Sequence, residues 1–217
     1  MRGIIFDLDG VLVDSMPSHV EAWKRAFRGI AGLEISEKEI YRLEGMRGAE
    51  LITKIFVGKG VSDSSLADRV REEKDRIFRQ AKSVKPFECA LDIVEETTCP
   101  KAVVSGSSRR DVDSILDTTI GRNKFDVIIT ADDVEKGKPD PSAFLEAAKR
   151  MNVENHMTGV IENAPLGAQA ANNAGMSCYI TLNNTSLSRS DFDGIVPPER
   201  IFDATGSLKA ILSQWCE

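Results

Sequence analysis

Gly3-Ile4-Ile5-Phe6-Asp7-Leu8-Asp9-Gly10 sets the frame for the whole chain. Its first half is β-branched and aromatic, which predicts a buried strand. The strand runs into two carboxylates at positions i and i+2. In extended backbone these share a face, while Phe6 and Leu8 point to the other. Two such carboxylates repel unless a cation lies between them or one is protonated. Gly10 allows a sharp turn directly after them. Taken alone, Asp7 to Gly10 fits a solvated turn as well as a functional site. The rest of the chain has to separate the two.

The chain has 217 residues, 41% of them hydrophobic, and a formal net charge of −6. That length accommodates one core and a smaller inserted domain. No apolar run reaches membrane-spanning length, so no membrane partner is expected. The absence of a basic stripe argues against nucleic acid as a main partner. Asp7 and Asp9 fall where a secretory leader needs its apolar centre, so a cytoplasmic protein is expected. Cys89, Cys99, Cys178 and Cys216 lack CxxC spacing and are expected to be reduced, mostly buried thiols. Nothing marks an oligomer interface, and a monomer is compatible with the sequence.

Beyond Gly10, Val11 to Ser15 reads as a small turn or hairpin. Residues 16–83 then carry helical spacing, as in Val20, Trp23, Ala26 and Phe27, and later Leu66, Val70, Lys74, Ile77 and Phe78. No alternating strand pattern interrupts them. From Lys85-Pro86 onward, short β-branched runs alternate with helical stretches. Strands are predicted at 101–105, 125–129, 158–161 and 177–180. Helices are predicted at 91–97, 109–118, 141–151, 166–174 and 207–215. This alternation predicts an α/β fold with a mostly parallel sheet covered on both faces. The first strand belongs to that sheet. The expected organisation is therefore an α/β core, 1–15 and 84–217, with a small helical domain, 16–83, inserted after the first strand.

Ligands of open parallel sheets bind at the carboxyl ends of the strands. The first strand ends in Asp7 and Asp9. The second ends in Ser105-Gly106-Ser107-Ser108 before a helix, where hydroxyls and free N–H groups can hold an anion or simply cap the helix. After the third comes Glu135-Lys136-Gly137-Lys138-Pro139. A lysine at a helix start is unfavourable on dipole grounds unless an anion accompanies it. The fourth ends in Glu162-Asn163, two oxygen donors suited to a hard cation. Each feature has an ordinary explanation. Four successive strand ends supplying carboxylates, hydroxyls, an ammonium and more oxygen donors together match the needs of phosphoryl transfer.

These stretches resemble the four motifs of the haloacid dehalogenase superfamily. Asp7 to Ser15 resembles the first motif, Val103-Val104-Ser105 the second, Gly137-Lys138-Pro139 the third and Val160-Ile161-Glu162-Asn163 the fourth. The resemblance implies a Rossmann-like core with a helical cap, as in phosphoglycolate phosphatases, sugar-phosphate phosphatases and β-phosphoglucomutases. It implies Asp7 as the nucleophile that forms an aspartyl-phosphate and Asp9 as the acid and base. It implies Ser105 and Lys138 as holders of the phosphoryl oxygens. Mg2+ would be bound by Asp7, the Asp9 carbonyl, Glu162 and Asn163. The substrate would be a small phosphorylated metabolite. For this chemistry Asp9 should be neutral while Asp7 is charged.

The sequence departs from the family pattern in two places. Many relatives have Asp where this chain has Asn163, which removes one negative charge. The stretch Arg42-Leu43-Glu44-Gly45-Met46-Arg47-Gly48 resembles the cap loop that closes on the site, and mutases tend to place Lys at the position of Glu44. Glu44 is thus a candidate to reach the metal. Gly106, Ser107, Arg47, His19 and Arg109 are candidates to contact substrate. A phosphatase is the first reading. A phosphomutase, an inorganic pyrophosphatase and a catalytically silent binding protein are the alternatives.

Overall fold

The computed structural model describes residues 2–81, 84–183 and 185–216. Strand β1 (Gly3–Asp7) is followed by four helices, α1 (Met16–Ala26), α2 (Glu37–Arg42), α3 (Gly48–Lys59) and α4 (Ser65–Arg79). The chain then alternates through α5 (Ala90–Glu96), β2 (Lys101–Val104), α6 (Arg109–Thr118), β3 (Val127–Ile129), α7 (Ser142–Met151), β4 (Thr158–Glu162), α8 (Pro165–Asn173), β5 (Ser177–Thr181), β6 (Ile201–Phe202) and α9 (Lys209–Cys216). The expected α/β core is present. Its sheet has six parallel strands in the order β3-β2-β1-β4-β5-β6.

That order places β1 at the centre, with Phe6 opposite Val103 on one side and Ile161 on the other. The chain lays β2 and β3 to one side of β1 and then crosses to start β4 on the other. A crevice opens at such a reversal, just beyond the strand ends. Asp7, the last residue of β1, therefore stands at the point where this topology makes room for a ligand.

The strand's alternation sorts its side chains between two apolar clusters. Ile5 packs with Ala102, Val104, Val160 and Phe144 on one face. Ile4, Phe6 and Leu8 pack with Val103, Ile161 and Leu116 on the other. All of β1 is buried, which anchors the two carboxylates on a rigid element. The stretch Val11 to Ser15 opens in the expected turn, with Gly10 N–H donating to the Val13 carbonyl (2.9 Å) and Val13 N–H to the Leu8 carbonyl (3.1 Å), and does not go on to pair with itself as a hairpin. Asp14 N–H donates to the Lys85 carbonyl (2.8 Å) and Phe87 N–H to the Leu12 carbonyl (3.0 Å), so the outgoing and returning chains pair with each other. The helical insert hangs on this two-stranded neck. Ser83, the expected last residue of the insert, lies outside the described residues.

Two features differ from the sequence reading. Strand β6 was not expected; Pro197 and Pro198 precede it, and two residues carry no readable period. The cysteines are not all free thiols. Cys99 and Cys216 form a disulfide, with Cα atoms 5.3 Å apart across 117 residues of sequence. Helix α9 folds back beside the approach to β2 and brings them together, a juxtaposition that spacing cannot reveal. Cys178 is buried as expected, whereas Cys89 is exposed. Among the described residues, no helix is long and apolar enough to cross a membrane.

Candidate active site

Asp7 and Asp9 are both buried, and their surroundings are opposite in kind. The Asp9 carboxylate accepts hydrogen bonds from Ser15 Oγ (2.5 Å), Ser105 Oγ (3.1 Å) and Ser107 Oγ (3.3 Å) and contacts His19 Nε2 (3.2 Å). Burial alone would push the Asp9 carboxyl up. His19, Ser15 and Ser105 outweigh it and hold Asp9 well below the usual carboxylate range. Burial pushes Asp7 up, and the nearby Glu162 and Asp9 charges add to this against the pull of Lys138. Both directions run against the expected assignment of a neutral Asp9 and an ionised Asp7. The donors around Asp9 are the cause. A cation against Asp7 would favour its ionised form.

Lys138 is almost fully buried, and its Nζ donates to both Asp7 Oδ1 and Glu162 Oε1. Burial opposes its charge, but the two carboxylates keep it protonated. Its backbone N–H donates to the Gly45 carbonyl of the insert (3.2 Å), and the Lys138-Pro139 bond is cis. The second oxygen of Glu162 accepts from Asn163 N–H (2.8 Å) and Ala164 N–H (3.0 Å) at the start of α8. A Cβ on Gly167 would fall 1.9 Å from Glu162 Oε1, so only glycine leaves room for this carboxylate. Glu162, expected as a metal ligand, is instead committed on both oxygens: it fixes Lys138 and caps a helix.

Asn163 and Glu44 meet. Both Glu44 oxygens lie 3.0 Å from Asn163 Nδ2, across 119 residues of sequence. Burial first, then the Asp7 charge, push the Glu44 carboxyl well above its ordinary value. Asn163 Oδ1 is buried and has no hydrogen-bond partner. Gly10, at φ +83°, presses against the same amide; a Cβ there would lie 2.0 Å from Asn163 Nδ2. Among the described residues no three Asp, Glu, His or Cys side chains converge closely enough to hold a metal by themselves. The residues still fit a hard cation that keeps part of its water. An orphaned amide oxygen and the Asp7 carboxylate are the oxygen donors such an ion prefers.

The insert and the core enclose a cavity of about 290 Å³ lined by Asp7, Asp9, Glu44, Arg47, Lys74 and Ser107, among others. Gly106 lines it too, and a Cβ there would be 2.9 Å from the Gly45 carbonyl, so the two loops meet backbone to backbone. Arg47 reaches across the cleft, donating from Nη1 to the Glu135 carbonyl (2.5 Å). His19 is turned to Asp9 and stacks on Phe78, with ring centroids 3.9 Å apart. Burial and then the Lys74 charge lower the His19 pKa against the pull of Asp9.

Arg109 is not brought to the cavity. Its guanidinium donates to Asp133 Oδ2 (2.6 Å) and the Ile128 carbonyl (2.9 Å), which hold it along the edge of the sheet. Three residues unnamed among the sequence candidates belong to the site. Ser15 binds Asp9. Glu50 accepts from Gly137 N–H (3.2 Å) and so ties α3 to the Lys138 loop. Lys74 is buried, its ammonium 5.3 Å from the Trp23 ring centroid and 5.0 Å from that of Phe78. Lys74 left a signal in the sequence, a charge on the apolar stripe of its helix.

The fold and this pattern of residues are those of a family of hydrolases. A profile described as haloacid dehalogenase-like hydrolase matches residues 4–181, and the chain belongs to that family. It is 31% identical over 220 residues to the phosphorylated carbohydrates phosphatase of Thermotoga maritima, covering 98% of this chain and 100% of that one. It is 32% identical over 177 residues to the fructose-1-phosphate phosphatase YqaB of Escherichia coli, covering 80% and 93%. Among solved structures, a β-phosphoglucomutase of Clostridium difficile is similar at 25% identity and a TM-score of 0.80, covering 99% of this chain and 97% of that one.

Proposed function

We propose that this hydrolase is a Mg2+-dependent phosphatase of a small phosphorylated metabolite, working through a phosphoryl group carried on Asp7. One observation carries the reading. Two buried carboxylates stand side by side at the switch point of the sheet, one bonded to a buried ammonium and the other to hydroxyls and an imidazole.

Asp7 supplies the attacking oxygen, and Lys138 offsets the charge that gathers on the phosphoryl oxygens beside it. Glu162 keeps Lys138 at that place. Asp9, once it has taken the proton that Asp7 gives up on ionising, passes it to the leaving oxygen and then takes one from the attacking water. Ser15, His19, Ser105 and Ser107 fix its orientation. Asp7, the Asp9 carbonyl, Asn163 and, across the cleft, Glu44 would hold Mg2+. When bound, the ion would draw charge from the phosphoryl oxygens and favour ionised Asp7. Residues 16–83 would act as the cap, and the contacts of Gly45, Arg47 and Glu50 with the Lys138 loop would exclude water from the cleft.

The Thermotoga and Escherichia relatives support a phosphorylated carbohydrate as substrate, and the mutase neighbour supports the same first step. Glu44, which replaces a lysine common in mutases, favours hydrolysis over return of the phosphoryl group to a sugar. The Glu44–Asn163 contact also suits a second reading, cleavage of inorganic pyrophosphate. Phosphate release should be measured with Mg2+ and with EDTA on a panel of sugar phosphates, phosphoglycolate, nucleotides and pyrophosphate. Mg2+-dependent release from a monoester supports the first reading, and release from pyrophosphate alone supports the second. Isomerisation of β-glucose 1-phosphate without net release would contradict both.

A further inference from the structure

Glu44 is the second residue beyond the end of α2, and its N–H still donates to the Tyr41 carbonyl of that helix (3.3 Å). Its position is therefore coupled to the position of α2. Two cations one turn apart on α2 reach a single carboxylate of the core, Asp191. Arg42 Nη2 lies 2.8 Å from Asp191 Oδ1, and Lys38 Nζ lies 3.1 Å from Asp191 Oδ2. The carboxylate side chain is only 5% exposed, whereas those of Lys38 and Arg42 are 44% and 57% exposed.

Asp191 itself stands on a fixed platform. Ser188 N–H and Ser188 Oγ both donate to Oδ2 (3.0 Å each). The next residue, Phe192, is fully buried, and Asn172 of α8 donates to the Ile195 carbonyl (2.7 Å). Helix α2 is closed at its start by reciprocal bonds between Ser36 and Glu39. A rigid helix is thus clamped to the core by charge, immediately before the residue that meets Asn163.

We propose that Asp191 is a positioning residue: by holding Lys38 and Arg42 it sets Glu44 against Asn163 and so tunes the affinity of the site for its divalent cation. This rests on the reading that Glu44 and Asn163 stand at the cation end. Asp191 does not line the cavity between insert and core. Its effect passes through α2.

The test is Mg2+ binding, with the metal alone as probe, followed by calorimetry on the full chain at low and high NaCl. Asp191→Asn should weaken Mg2+ binding about 3- to 10-fold, the scale of two screened ion pairs. Its circular dichroism should match the wild type. Asp191→Glu should restore most of the loss. The gap between wild type and Asp191→Asn should close at high salt. In a Glu44→Gln background, Asp191→Asn should have no further effect, a coupling that a general loss of structure would not produce. Wild-type affinity in Asp191→Asn, or an equal loss with and without Glu44, would overturn the proposal. Wild-type affinity in Glu44→Gln alone would overturn the reading of Glu44 itself, and the role of Asp191 with it.

Discussion

Glu44 and Asn163 face each other at 3.0 Å, the amide nitrogen of one shared between both carboxylate oxygens of the other. An amide at this place donates to Glu44 and leaves its oxygen free. A carboxylate could do only the second. Asn163→Asp should therefore set two buried carboxylates against each other and destabilise the protein by about 1–3 kcal/mol in EDTA. Adding Glu44→Gln should recover most of that loss, and Mg2+ should narrow it. Urea unfolding of the two single variants and the double variant gives the coupling energy. Additive effects would mean that the contact is incidental.

The Lys138 ammonium is bonded to two buried carboxyl groups at once, those of Asp7 and Glu162. Lys138→Met keeps much of the side-chain volume and removes the charge. It should cost about 3–5 kcal/mol, because the uncompensated charges left behind are the main penalty. A Lys138→Met, Glu162→Gln double variant should be more stable than Lys138→Met alone. Denaturant midpoints with unchanged slopes would measure both effects.

Acid should loosen the insert through Glu39. The Ser36 hydroxyl and N–H, with Lys59, hold the Glu39 carboxyl down to about 2. A carboxylate with a depressed folded pKa contributes stability that is complete above its unfolded value, about 4.3. The contribution is lost as pH falls from there towards about 2. The group is mostly exposed, so solvent screening keeps it under about 1 kcal/mol. Wild type should exceed Glu39→Gln in urea midpoint at pH 7, and the difference should vanish near pH 2.

Much of this architecture was legible because it follows from short-range physics. The β-branched runs and their helical partners fixed the α/β class, and Asp7 and Asp9 marked the end of the central strand. Glu44 could be suspected from the charge missing at Asn163. Long-range geometry was not legible. Lys138 could be read as a cation for phosphate, but its insertion between Asp7 and Glu162 depends on how three separate loops pack. Arg109 had the right sequence neighbours, yet Asp133 and the Ile128 carbonyl claim its guanidinium. Cys99 and Cys216 meet only because α9 returns to the approach to β2. The contrast between the surroundings of Asp7 and Asp9 depends on His19 and the Ser15 hydroxyl, which no strand period positions.

Rapid acid quench during turnover, followed by peptide mass analysis, tests whether Asp7 carries the phosphoryl group. In the presence of substrate and Mg2+, the peptide containing Asp7 should gain the mass of one phosphoryl group. The adduct should be absent in Asp7→Asn, and phosphate release by that variant should fall by at least about 10³-fold. Release at the wild-type rate from Asp7→Asn, or an adduct mapped to a peptide lacking Asp7, would contradict the account.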